Sequence, residues 1–131
     1  MTIETGLYSR MADDVTLARL VSTRIWPAQR SQNSALPAVT YRKRDSEAEY
    51  GLWDAPPLYM PLWELDCYGE TYASARAVAD RVKALFDRFI GDLGGASVVA
   101  TLLRREEEEA VEINGSNLIR VRFWFLMVYQ E

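Results

Sequence analysis

The stretch Leu62–Phe89, LWELDCYGETYASARAVADRVKALFDRF, decides the reading of the fold. Its first residues alternate: Trp63, Leu65 and Cys67 fall on one face of a strand, and Glu64, Asp66 and Tyr68 on the other. After a tight polar turn, Tyr72, Ala75, Ala79, Val82, Phe86 and Phe89 recur at helical steps, with Val78 and Leu85 widening the stripe. Arg76, Asp80, Arg81, Lys83, Asp87 and Arg88 take the opposite side, so the spacing predicts an amphipathic helix of about five turns. Two apolar faces joined by so short a turn pack on each other, and this contact is the predicted core.

Downstream, Gly91–Asp92–Leu93–Gly94–Gly95 stops the helix and turns the chain. Ser97 to Arg105 (SVVATLLRR) reads as a strand, followed by the glutamate run Glu106–Glu109 and a hairpin signal at Asn114–Gly115. The last strand, Leu118–Tyr129, places Ile119, Val121, Phe123, Phe125, Met127 and Tyr129 on one face, and Arg120, Arg122, Trp124, Leu126 and Val128 on the other. A one-sided antiparallel strand is polar along its whole outer face, yet this one turns apolar at Trp124. Either the N-terminal helices or another subunit must cover it, which makes Trp124, Leu126 and Val128 candidate interface residues.

Upstream, Ile3, Leu7, Tyr8 and Met11 sit at helical spacing behind Thr2 as N-cap, with Gly6 weakening the helix by up to ~1 kcal/mol. A second short helix follows from Asp14 to Val21, then a strand stub at Ile25–Trp26, held extended by Pro27. A polar loop (AQRSQNSAL) leads to the extended run Ala38–Arg44, which Pro37 opens. Residues Asp45–Pro57, DSEAEYGLWDAPP, read as a mobile loop rather than a regular element. Two readings of it stay open: a crossover with its aromatics tucked against the body, or an arm that orders against a partner through Glu47, Glu49, Tyr50, Trp53 and Asp54. The expected architecture is a single α+β domain, residues 1–131, with an antiparallel sheet of about four strands packed against one long amphipathic helix and short N-terminal helices.

Composition excludes several functions. The 131 residues, 49% apolar and 26% charged, have the composition of a globular chain able to bury one core. No apolar run reaches the roughly 18 residues of a membrane helix, and MTIETGLYSRM lacks the basic start and apolar run of a signal peptide. There is no histidine, so Ser–His–Asp, Cys–His and histidine–zinc sites cannot form within the chain. Cys67, the one cysteine, lies on the predicted buried face with nothing nearby to depress its pKa. A formal charge of −4 opposes broad contact with nucleic-acid phosphates.

Consecutive carboxylates in a strand point to alternate sides, so Glu106–Glu109 do not converge on one ion; cross-strand pairs with Arg120 and Arg122 are the expected use. Arg42, Lys43 and Arg44 form a basic patch with Arg104 and Arg105 only if their strands are neighbours, and no Gly-rich loop accompanies them. These residues assemble no catalytic, cofactor or metal site, so the expectation is a binding or structural protein rather than an enzyme.

The ordered landmarks carry a resemblance. A short helix leads to Arg24–Ile25–Trp26–Pro27, then to Leu36–Pro37–Ala38–Val39–Thr40–Tyr41; Leu65–Asp66–Cys67–Tyr68–Gly69 runs through Thr71–Tyr72 into the Ala-rich helix ARAVADRVKALFD; Gly94–Gly95 and RVRFWFLMVY close the set. This order resembles small tailed-phage proteins called tail completion, tail terminator or head–tail joining proteins, found in siphophages, prophages and gene transfer agents. Trp53, Pro56–Pro57 and the glutamate run depart from that pattern. The resemblance implies a structural virion protein without cofactor, one subunit of a hexameric ring that caps the head-proximal end of the tail tube. Its implied partners are further copies of itself, the tail tube protein and the head–tail connector, with DNA passing through the ring without specific binding and no membrane involved. The implied location is the virion tail, and the host cytoplasm during assembly. The alternatives are a head-side connector component (stopper or adaptor) and a non-viral module that binds a small ligand or peptide.

Overall fold

The computed structural model describes residues 2–29, 35–51, 55–113 and 115–130. The chain runs α1 (Ile3–Ala12), α2 (Val15–Val21), β1 (Ile25–Pro27), β2 (Ala38–Glu49), β3 (Leu58–Gly69), α3 (Tyr72–Phe86), β4 (Gly91–Leu93), β5 (Ala96–Ile113) and β6 (Ser116–Gln130). The strands form one six-stranded sheet in the order β1-β2-β3-β6-β5-β4, in which β1 pairs parallel with β2 and every other pair is antiparallel.

This corrects the expected four antiparallel strands against one long helix: the fold is a curled, mixed, six-stranded half-barrel with three short helices. The additional strands, β1 and β4, are three residues each. So short a run carries no periodicity, and the backbone is extended there because a neighbouring strand holds it. The helix is shorter than its apolar stripe suggested. Asp87 turns extended and Arg88 takes a left-handed φ of 63°, so α3 stops at Phe86 after 15 residues. Tyr72, counted in the stripe, is 55% exposed.

The core itself follows the alternation. Trp63, Leu65 and Cys67 meet Val78, Ala79, Val82 and Phe86 of α3, together with Val121, Phe123, Phe125 and Met127 of β6. Each large side chain taken from water here contributes about 1.5–3 kcal/mol. Ile3, Leu7 and Met11 of α1, with Leu17 and Val21 of α2, join the same cluster, so all three helices cover one side of the sheet. Arg10 ties α1 to the end of α3, donating Nε to the Leu85 carbonyl (2.8 Å) and laying its guanidinium 3.9 Å from the Phe89 ring centroid.

Asp14 fixes the start of α2 and clamps it to α3. Its carboxylate accepts from the Leu17 backbone N–H (2.9 Å) and from Arg81 Nε and Nη2 (2.8 and 2.6 Å). The Arg81 hydrogen bonds hold its pKa below the usual carboxylate value against the opposing effect of burial, and the Leu17 N–H adds to the lowering. A carboxyl depressed in the folded state contributes stability above its unfolded pKa of about 3.9, and that contribution is lost as pH falls through the folded value. Asp14→Ala is therefore expected to lose ~1–2 kcal/mol at neutral pH, with the gap to the parent protein closing as pH falls below the unfolded carboxyl value of about 3.9 and through the lowered folded one. Urea unfolding across pH checks this; a gap independent of pH assigns the loss to packing instead.

Candidate functional site

With the helices on one side, the opposite face of the sheet is bare of helix among the described residues. Of the two covers left open for Trp124, the helices α1 and α2 do not supply one. Their apolar residues are satisfied by the Trp63–Phe125 side, and the far face is left to side chains from the strands alone.

That face divides into a charged half and an apolar half. In the charged half, Arg42 lies opposite Glu64, Thr40 opposite Asp66, and Asp66 opposite Arg122. Arg122 donates Nε and Nη2 to the two Asp66 oxygens (2.7 and 2.9 Å). Arg42 and Arg44 both reach Glu64 Oε2 (3.1 and 3.2 Å), while Glu64 keeps only 3% side-chain exposure. Arg122 Nε also lies 2.6 Å from Glu64 Oε1, but its N–H is aimed at Asp66, so Oε1 has a charged neighbour without a hydrogen bond. Hydrogen bonding to Asp66 raises the Arg122 pKa despite burial, keeping the guanidinium charged. The carboxylates sit between arginines, so this is a neutralised ladder rather than a free basic or acidic site.

The apolar half begins at Trp124, which lies opposite Glu64 on one side and Arg105 on the other. The guanidinium carbons of Arg105 and Arg122 stand 5.0 and 5.6 Å from its ring, so arginines rather than a helix cover it. Leu126 lies between Leu62 and Leu102, and Val128 opposite Ala100. Trp124, Leu126 and Val128 are half-buried, while Leu102 and Val99 are each 46% exposed. Sequence reasoning named Trp124, Leu126 and Val128 but missed Leu62 and Leu102. Their shared row follows only from the strand order.

The segment Asp45–Glu49 is strand, not loop: Asp45 pairs with Leu62, Glu47 with Met60 and Glu49 with Leu58, forming the outer part of a β2–β3 hairpin arm. Its charged side chains are exposed on both faces, so no apolar alternation announced it; the pairing with β3 makes it a strand. Glu47 and Glu49 lie on this arm and are exposed, and Tyr50 just beyond is 74% exposed. Trp53 and Asp54 lie outside the described residues. Leu62 joins the arm to the apolar half, since it pairs with Asp45 on one side and Leu126 on the other.

The glutamate run is inside β5, with Glu107 opposite Arg122 and Glu109 opposite Arg120. Glu109 bonds Arg120 as expected, whereas Glu107 pairs with Arg105. Glu106 and Glu108 turn to the helix side and share Arg76. Burial alone pulls the Arg76 pKa down, but Asp80, Glu106 and Glu108 together raise it. Two strands stand between β2 and β5, so Arg42–Arg44 and Arg104–Arg105 form no common patch. Among the described residues no cluster of acidic or cysteine side chains has metal-binding geometry. The Cys67 thiol is fully buried, which pushes its pKa up and leaves it inert. What the site offers chemically is surface: an apolar strip, a charged ladder and two long hairpins.

No family model matches the chain, and no curated protein matches it. Among solved structures, a chain of the virion of a native gene transfer agent particle shares the fold with a TM-score of 0.72 at 16% identity, covering 95% of this chain and 92% of that one. A second solved chain, which carries no functional description, matches with a TM-score of 0.55 at 14% identity over 95% of this chain and 92% of its own.

Proposed function

We propose that the chain is a structural subunit of a tailed virion or gene transfer agent particle, serving as a tail terminator in a hexameric ring between tail tube and head connector. The observation that carries this reading is the fold likeness, over nearly the whole of both chains, to a chain of a gene transfer agent virion. The helix-free far face supports it, because a ring needs contact surfaces that a monomer leaves uncovered. The lack of histidine and the pairing of the buried carboxylates with arginines also suit a structural role better than catalysis. A net charge of −4 suits a bore through which DNA slides without sticking. On this reading the tail tube and the connector are its neighbours, and the virion tail is its location.

Mass photometry and negative-stain microscopy of the purified protein, alone and with tail tubes, test the reading. Six-fold rings at tube ends are the expected result; a protein that stays monomeric at every concentration and ignores tube ends overturns it. Rings that bind connectors and not tubes would assign it to the head side. Trp124→Glu separates surface from scaffold. The isolated subunit is expected to lose under about 1 kcal/mol, because the new carboxylate lies between Arg105 and Arg122 and replaces cation–π contact with ion pairing. Half-assembly of rings is expected to need at least about tenfold more protein, equivalent to ~1.4 kcal/mol per junction. A variant that unfolds, or one that assembles normally, removes Trp124 from the interface.

A further inference from the structure

Above Trp124 the far face carries three further rows, and directly opposite residues of antiparallel strands share a face. The first row runs from Asp45 through Leu62 and Leu126 to Leu102. The second starts at Glu47 opposite Met60 and ends with Val128 opposite Ala100. Tyr59 pairs with Tyr129 and Leu62 with Leu126, which sets Met60 beside Val128. The third starts at Glu49 opposite Leu58 and ends through Gln130 and Ser97 at Asp92. Two more apolar residues extend the second row. Gly91 pairs with Val98 and Arg88 N–H donates to the Thr101 carbonyl (2.9 Å), so Ile90 falls opposite Val99, the extra residue of the bulge in β5. Ile90 is 71% exposed. Together with Val99 and Leu102 it makes the open end of a continuous apolar floor, which marks an interaction surface more than scattered apolar residues do.

The charge on these rows has one sign. They hold Asp45, Glu47, Glu49 and Asp92, and no lysine or arginine. Asp45 and Asp92 accept only the Ser46 and Gly95 backbone N–H groups, and none of the four carboxylates has an ion-pair partner among the described residues. The nearest cations stand outside the rows. Glu64 holds Arg44 and Glu107 holds Arg105, while Arg88 and Arg104 lie toward β5, away from Glu47 and Glu49. Covering the apolar floor takes water from the carboxylates at its margin, which costs free energy unless cations meet them. The same rows of a second copy bring only further carboxylates, so the surface does not pair with itself.

From this we infer that the three rows dock a second kind of protein, through an apolar segment with lysine or arginine along the margin that meets β2. Glu47 and Glu49 stand ~7 Å apart along their strand, which suits cations two residues apart in a partner strand or four apart in a partner helix. The inference rests on the particle reading above in taking that protein to be the tube or the connector subunit. It leaves the Trp124 row to the contact between copies.

The test is binding of purified tube protein and purified connector protein to the parent and to two variants, beside mass photometry for rings. One variant carries Glu47→Lys with Glu49→Lys, the other Leu102→Asp. All three side chains are exposed and the two glutamates hold no partner, so urea unfolding is expected to show both variants folded. Each variant is expected to bind at least about tenfold more weakly than the parent, and to form rings at the parent concentration. Added salt is expected to weaken the parent's binding and not that of the lysine variant. Variants that bind as the parent does overturn the inference. Rings lost in a folded variant also overturn it, and assign the rows to contact between copies. A parent that forms rings yet binds neither protein overturns it and leaves the ring intact. A parent that forms no rings but binds one of them, with the loss in both variants, removes the ring reading and keeps this inference. A parent that does neither overturns both.

Discussion

Replacing Arg122 with alanine is expected to cost the fold about 3–5 kcal/mol, the range for breaking a buried ion pair from one side. The measurement is urea unfolding of the monomer, with the midpoint falling and the slope unchanged. Asp66 has 9% side-chain exposure and accepts both of its short hydrogen bonds from Arg122, so alanine leaves a buried carboxylate with the long Tyr68 hydroxyl bond (3.4 Å) and no cation in hydrogen-bond contact. Glu64 is better protected, because Arg42 and Arg44 remain on its other oxygen. Arg120 supplies the control. Its partner Glu109 is 52% exposed and reaches water once released, so Arg120→Ala is expected to lose under ~1 kcal/mol. Equal losses from the two variants would show the ladder to be solvated rather than sealed. The contrast also bears on the proposed surface, because Arg122 is one of two arginines over Trp124.

Gly6→Ala is the second large effect, and its sign is opposite to the helical preference. In an isolated helix the change would gain up to ~1 kcal/mol. In the fold, a Cβ at position 6 would stand 2.3 Å from Gly94 N and 2.4 Å from the Leu93 carbonyl carbon, both backbone atoms of the β4–β5 turn. Relief requires α1 to lift away and to loosen Ile3, Leu7 and Met11 from the core. A net loss of about 2–3 kcal/mol is expected, in the range for overpacking a tight contact. It should appear as a fall of several degrees in the thermal midpoint. Gly94 is constrained from the other side, since its φ is +60° and its own Cβ would meet the Thr2 carbonyl oxygen at 1.9 Å. A stabilised Gly6→Ala would mean that α1 is not seated on that turn.

Gly6 shows how far sequence reading reached. It reads as a weak point in a helix because propensity concerns the helix alone, whereas the residue is a contact point between elements nearly ninety positions apart. Glu64 and Asp66 tell the same story. Alternation placed them correctly on the face away from the helix, and outward residues of a strand are ordinarily solvated. Their burial depends on β3 lying beside β6, which brings Arg122 across. The candidate face was partly legible: Trp124, Leu126 and Val128 announced themselves as apolar residues where polar ones were expected, but Leu62 and Leu102 were silent without their register. The two arms were hidden because Asp45–Glu49 and Glu106–Glu109 are exposed and charged, so they become strands only by pairing with a partner.

By itself the sequence determined what neighbouring residues decide among themselves: the inward faces of β3, α3 and β6, the Thr2 cap, and the exclusion of histidine chemistry. Only the tertiary structure decided the strand order, the parallel β1, the side on which α1 and α2 lie, the buried ladder and the rows of the far face. The physical reason is range. Periodicity and capping act over a turn or a few residues. Strand pairing joins residues such as Asp66 and Arg122, 56 positions apart, through contacts that no local pattern encodes.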